Sequence, residues 1–141
     1  MYNACLSTDY DIAVMAAAVA DYTPVHVAEQ KIKKVGEEIT LVLKRTKDIL
    51  GSLGRNKKEG QILVGFALET DDEKANAVKK LKEKNADLIV LNSLKDEGAG
   101  FGHNTNKATF YFKDGREKPL ELKSKKSLAE DIVDTITEII K

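Results

Sequence analysis

Apolar residues fall in short bursts between polar stretches, and their spacing changes from burst to burst along the chain. Ile12 to Val19 is a continuous apolar run with β-branched members, which predicts a buried strand; Met1 to Ser7 before it reads as the last turns of a helix. Residues 20 to 37 carry the breakers Pro24 and Gly36 and no clear period, which predicts an exposed loop. Ile39, Leu41 and Leu43 alternate with Thr40, Val42 and Lys44, as in a half-buried strand. Thr46 then stands where it can cap a short helix through Asp48, Ile49, Leu50 and Leu53.

A second continuous run, Ile62 to Leu68, predicts a central strand covered on both faces by helices. Thr70 and Glu73 have capping-box spacing, and the helix they open puts Ala77, Leu81 and Ala86 on one side before the next strand, Leu88 to Leu91. Strand, helix and strand within about thirty residues make a βαβ unit, so a parallel sheet with a right-handed crossover is expected. Residues 93 to 106 hold three glycines and little apolar content, and predict a loop. Ala108, Phe110 and Phe112 alternate with Thr109, Tyr111 and Lys113, turn at Asp114-Gly115 and lead to Leu120 and Leu122: a hairpin. Ser127 with Glu130 forms another capping-box pattern, and Leu128, Ile132, Val133, Ile136, Ile139 and Ile140 repeat at helical spacing. The fold class is α/β: a three-layer, Rossmann-like, mostly parallel sheet with a C-terminal β-hairpin and a final helix.

Composition narrows the classes of function. In 141 residues, 42% are hydrophobic and 33% charged, which fits one globular domain and not a disordered tail. No eighteen-residue apolar stretch exists, the N-terminus lacks a signal-peptide pattern, and Cys5 has no second cysteine to pair with, so a reducing, cytoplasmic setting is expected, with no membrane partner. Lys plus Arg and Asp plus Glu each total 23, and without Trp or aromatic-basic alternation a nucleic-acid surface is disfavoured. His26 and His103 are isolated, which argues against zinc, and no Ser-His-Asp or Cys-His arrangement can be drawn.

Candidate chemistry begins where the first strand ends in small residues. Met15-Ala16-Ala17 lets a ligand approach the backbone, Asp21 follows in the loop, and Lys31-Ile32-Lys33-Lys34 begins ten residues later. A carboxylate there can accept hydrogen bonds from ribose hydroxyls or an exocyclic amine, and Lys31 can reach phosphates; a turn residue and a solvated basic patch fit the same spacing. Lys47 to Leu50 open a helix whose N-terminus suits an anion, although every helix has such a start. Phe66 can pack on a base or simply fill the core. Lys80 and Lys84, four apart, project from one helix face. Asn92 can serve a site or cap its strand end.

The strings AAAVADY and KIKK, the segment Thr46-Lys47-Asp48-Ile49-Leu50 and the string Val64-Gly65-Phe66-Ala67-Leu68-Glu69-Thr70 resemble phosphopantothenoylcysteine synthetase in its bacterial, CTP-using form. This is the phosphopantothenate-cysteine ligase of coenzyme A synthesis. The family's asparagine-proline-aspartate-isoleucine is Thr46-Lys47-Asp48-Ile49 here, so backbone contacts carry over more readily than side-chain detail. The resemblance implies CTP held by Met15, Ala16, Ala17, Asp21, Lys31, Lys47, Asp48, Ile49, Leu50, Phe66, Lys80 and Lys84, with Lys31 catalytic and Mg²⁺ alongside. It further implies 4'-phosphopantothenate and cysteine as substrates, a homodimer, and a decarboxylase fused or associated upstream, with FMN only in that case; the hairpin at 107–122, with its aromatic Phe110 and Phe112, is a candidate part of the dimer interface. The glycine-rich Gly98-Ala99-Gly100-Phe101-Gly102 loop is also similar to the family's. Residues 1–141 are then expected to be a partial synthetase domain, lacking the family's opening strand, its glycine-rich turn and the asparagine that forms the acyl-cytidylate. The alternative is a non-catalytic Rossmann-like module that binds a nucleotide or a protein.

Overall fold

The computed structural model describes residues 1–33, 36–93 and 102–141. In chain order the elements are α1 (Tyr2–Ser7), β1 (Ile12–Met15), β2 (Tyr22–Pro24), β3 (Leu43–Arg45), α2 (Ile49–Asn56), β4 (Ile62–Glu69), α3 (Glu73–Glu83), β5 (Leu88–Ser93), β6 (Thr105–Asn106), β7 (Ala108–Phe112), β8 (Glu117–Pro119), β9 (Lys123–Ser124) and α4 (Lys125–Ile140). The α/β, Rossmann-like class expected from the sequence is the class observed. A five-stranded sheet runs β1-β4-β5-β7-β8, with β1, β4 and β5 parallel and the β7–β8 hairpin antiparallel beside them.

Strand periodicity sorts the core into two layers. Ile89, Leu91 and Tyr111 face one side with Leu63 and Ala67, and there meet Ile49 and Leu53 of α2 and Ala77 and Leu81 of α3. Val64, Leu88, Val90, Phe110 and Phe112 face the other side and pack on Leu128, Ile132 and Ile136 of α4. Gly65 on β4 lets α2 come close: a Cβ there would stand 2.7 Å from Leu50 Cδ2 and 2.9 Å from Ile89 Cδ1. Below the sheet Lys57 Nζ lies 2.7 Å from both Asp87 carboxylate oxygens, and Asp87 Oδ2 also accepts from the Leu63 N–H at 2.8 Å. This ion pair is largely buried and ties the start of β5 to the start of β4.

Several local expectations are corrected. The first strand stops at Met15 rather than Val19 and is half exposed rather than buried, because among the described residues it is the sheet edge and pairs only with β4. Residues 22–24 are not loop: they pair antiparallel with 43–45 to form a separate two-stranded arm. Ile39, Leu41 and Leu43 are exposed, since none of the described residues forms a layer over that arm, and of 39–45 only Leu43–Arg45 is strand. Helix caps also shift. Asp48, not Thr46, caps α2; Asp72, with φ +42° and no side-chain bond, precedes α3; Ser124, not Ser127, caps α4 by accepting the Ser127 N–H. Val133 and Ile140 are exposed on α4. Phe110 and Phe112 are buried under α4, so they offer nothing to a partner surface. Within the expected 93–106 loop, Thr105–Asn106 pairs with Lys123–Ser124, while 94–101, with most of the glycine-rich string, lies outside the described residues, as do Lys34 and Val35.

Candidate functional site

Beyond the carboxyl end of β1 the chain turns away from the sheet and leaves a cleft of about 520 Å³. Such ends are where an open α/β sheet presents diverging loops. Met15, Ala17 and Val19 form the wall that continues β1; Asp21 and Tyr22 follow. Arg45 through Leu50 form the opposite wall, Phe66 lies on β4, and Lys80 and Lys84 reach in from α3 and its C-cap.

The two walls are stitched together. Thr46 donates its backbone N–H to Asp21 O at 2.9 Å and its hydroxyl to Ala20 O at 2.7 Å. The loop that carries Asp21 is therefore anchored to the segment that opens α2. Asp48 then caps that helix, Oδ1 accepting from the Gly51 N–H at 2.9 Å, while Oδ2 accepts from Lys84 Nζ at 2.7 Å. Burial alone would raise the Asp48 pKa; the hydrogen bonds from Lys84 and Gly51, with the charges of Lys84 and Arg55, outweigh it and hold the carboxyl below its ordinary value. Lys80 is held more loosely, its Nζ 3.4 Å from Phe66 O and 3.9 Å from Glu69 Oε1. Lys47 stacks its ammonium over the Tyr2 ring at 4.5 Å, which fixes it from the α1 side.

Four cationic side chains, Arg45, Lys47, Lys80 and Lys84, face two carboxylates, Asp21 and Asp48, so the lining is net positive and suits a polyanion. Met15, Val19, Leu50 and Phe66 add an apolar wall fit for a flat ring or sugar. Of the twelve residues singled out in the sequence, all but Ala16 and Lys31 line this cleft. Lys31 is exposed on the connection between β2 and β3 and is not among the residues that line the cleft. Asn92 Oδ1 instead accepts from Asn106 Nδ2 at 2.9 Å, tying the end of β5 to β6. Met1, Val19, Tyr22, Arg45 and Thr46 line the cleft but were not among the nucleotide-binding residues expected from the sequence. Arg45 becomes visible only through its pairing opposite Tyr22, a register no local pattern discloses.

A protein named cysteine/cysteine sulfinic acid decarboxylase, from an unknown prokaryotic organism, is 53% identical over 130 residues, covering 92% of this chain and 36% of its own. The coenzyme A biosynthesis bifunctional protein CoaBC of Bacillus subtilis (strain 168) is 51% identical over 131 residues, covering 93% and 32%. This chain thus spans about a third of the length of the curated relatives it matches. A crystal structure of the C-terminal domain of CoaBC superposes with a TM-score of 0.72 at 36% identity, covering 98% of this chain and 58% of that one. Residues 1–140 match the DNA/pantothenate metabolism flavoprotein C-terminal domain from end to end, and the chain belongs to that family.

Proposed function

We propose that this chain contributes the nucleotide site of a CTP-dependent ligase that joins 4'-phosphopantothenate to cysteine in coenzyme A synthesis. The observation that carries the reading is the convergence of Asp21, Lys80, Lys84 and the first turn of α2 on one net-positive cleft. The relatives' names point to different chemistries, a decarboxylase and a bifunctional coenzyme A biosynthesis protein, and both proteins are far longer than this chain. The choice between them therefore rests on the cleft. A site built from several amines and a helix start suits a triphosphate.

In the proposed reaction a phosphopantothenate carboxylate oxygen attacks the α-phosphorus of CTP, and the bond to pyrophosphate breaks. The cysteine nitrogen then attacks the acyl carbon, the bond to CMP breaks, and the nitrogen loses its proton to water. Lys80 and Lys84 would offset the triphosphate charge, Asp21 would accept from ribose or base, and Phe66 with Met15 would pack on the nucleoside. The Ala16 and Ala17 backbone and the Lys47 to Leu50 turn would allow close approach. Lys31 is proposed to act at the α-phosphate as a point charge that stabilises growing negative charge. Its position outside the cleft lining requires the connection between β2 and β3 to close over the nucleotide.

Among the described residues no three His, Cys, Asp or Glu side chains gather to hold a metal. Asp48 is already engaged by Lys84, so the described residues offer Mg²⁺ no cage, and an ion held by phosphate oxygens and water is what this donor set fits. It would supply charge neutralisation. FMN would belong to a decarboxylase domain if one is fused upstream. A homodimer remains part of the proposal, built on a surface other than Phe110 and Phe112.

The test uses the intact protein. CTP, ATP and UTP are titrated by calorimetry, and selective CTP binding is the expected result. Lys31→Ala should keep CTP binding while product formation falls by about 100-fold or more; unchanged turnover removes its catalytic role. The exposed placement of Lys31 favours one second reading, a nucleotide-binding module without turnover, which predicts CTP binding with no product from the intact protein.

A further inference from the structure

We propose that Asp48 is a positioning residue whose carboxylate fixes the Lys84 ammonium at the cleft, so that Lys84 meets a polyphosphate already oriented. The proposal rests on the reading that this cleft takes a nucleoside triphosphate. Asp48 has two carboxylate oxygens with separate partners: Oδ1 takes the Gly51 N–H at 2.9 Å, and Oδ2 takes Lys84 Nζ at 2.7 Å. An ammonium has three N–H donors. One held by Asp48 leaves two for phosphate oxygens.

The backbone of Lys84 is fixed by the same helix. Gly54 of α2 runs so close to the Lys84 carbonyl that any Cβ would collide with that oxygen. Asn85, at φ +48°, turns the chain there, and its Nδ2 donates to Gly54 O at 2.9 Å. Gly51 completes the arrangement, because a Cβ there would run into the Asp48 carboxylate. Both ends of Lys84 thus lie against α2: its carbonyl packs beside Gly54, to which the neighbouring Asn85 is bonded, and its ammonium meets Asp48. Lys80, one helical turn earlier, has only the longer contacts to Phe66 O and Glu69. The two lysines divide the work, Lys84 preorganised and Lys80 adaptable, and preorganisation favours binding by removing the ordering cost at the moment of contact.

A double-mutant cycle tests this in the intact protein, with CTP and inorganic tripolyphosphate as calorimetric probes of Asp48→Asn, Lys84→Gln and the double variant. Asparagine caps a helix as well as aspartate, so Asp48→Asn keeps α2 while it removes both the charge pairing and the Oδ2 acceptor of the Lys84 ammonium. The expected result is that Asp48→Asn weakens both probes about 5- to 10-fold, and adds no further loss once Lys84 is glutamine. Parent-like affinity in Asp48→Asn, or an equal loss in the Lys84→Gln background, overturns the proposal. Coupling seen with tripolyphosphate but no preference for CTP over ATP and UTP leaves the positioning role standing and removes the CTP reading. No binding of either probe by the parent protein removes both.

Discussion

Two regions of this chain carry apolar residues and have opposite fates. The β4–β5 pair at the centre of the sheet is covered on both faces, and Leu63, Val64, Leu88, Ile89 and Val90 are fully buried. The β2–β3 arm has Leu43 in its pairing, with Val25, Val27, Ile32, Ile39, Leu41 and Val42 in the connection between its strands, and all of them are exposed. Alternation in a sequence reports a capacity to be buried; burial itself needs a second layer. Helices α2, α3 and α4 supply that layer to the sheet, and nothing in the described residues supplies it to the arm.

The contrast is sharpened most by Phe110→Ala. Phe110 is fully buried between β7 and α4, so its loss should lower unfolding free energy by about 3–5 kcal/mol, read from urea denaturation. Asp87→Ala comes next. It strands Lys57 in a largely buried position and removes the acceptor of the Leu63 N–H, for an expected cost of about 3 kcal/mol in the same measurement. Gly54→Ala should cost about 2 kcal/mol, because the oxygen it meets belongs to the Lys84 main chain and cannot rotate aside.

Asp48→Asn gives a smaller, pH-dependent change. The Asp48 carboxyl is lowered in the folded protein, so its stabilisation is present above the unfolded pKa near 3.9 and disappears as pH falls through the folded value. The variant should therefore be slightly less stable than the parent at pH 7 and converge with it in acid, as thermal melts from pH 2 to pH 7 would record. The smallest effect belongs to the arm: Leu41→Ser should change stability by no more than about 0.5 kcal/mol. A loss near that of Phe110→Ala would mean the arm is covered after all, and the comparison would fail.

The same comparison explains what could be read from the chain before its structure was known. Strands β4 and β5, helix α3 and the β7–β8 hairpin were legible because each is written locally, as a continuous run, a helical repeat or Asp114-Gly115, where Gly115 adopts φ +91°. Caps were misplaced because Thr46, Thr70 and Ser127 have suitable side chains, whereas the cap is decided by where the backbone leaves the helical region. Thr46 uses its hydroxyl on Ala20 instead. Asp21, Lys80 and Lys84 came from motif and spacing, and they line one cleft. Arg45 depends on strand pairing across more than twenty residues, and the Asp48–Lys84 bond joins two helices separated by β4, so neither is written in a short window.

The double anchorage of Thr46 on Ala20 and Asp21 has a mechanical corollary. Tyr22 and Arg45, the two ends of the β2–β3 arm, leave and re-enter the body side by side, like a sling hung from a single hook. The span of such a segment can vary without reshaping its base, since doubling a loop costs only about 0.6 kcal/mol. Shortening it beyond Pro24 should thus take away Lys31 yet leave the rim at Asp21 and Asp48 intact, separating capture of a ligand from whatever is done to it.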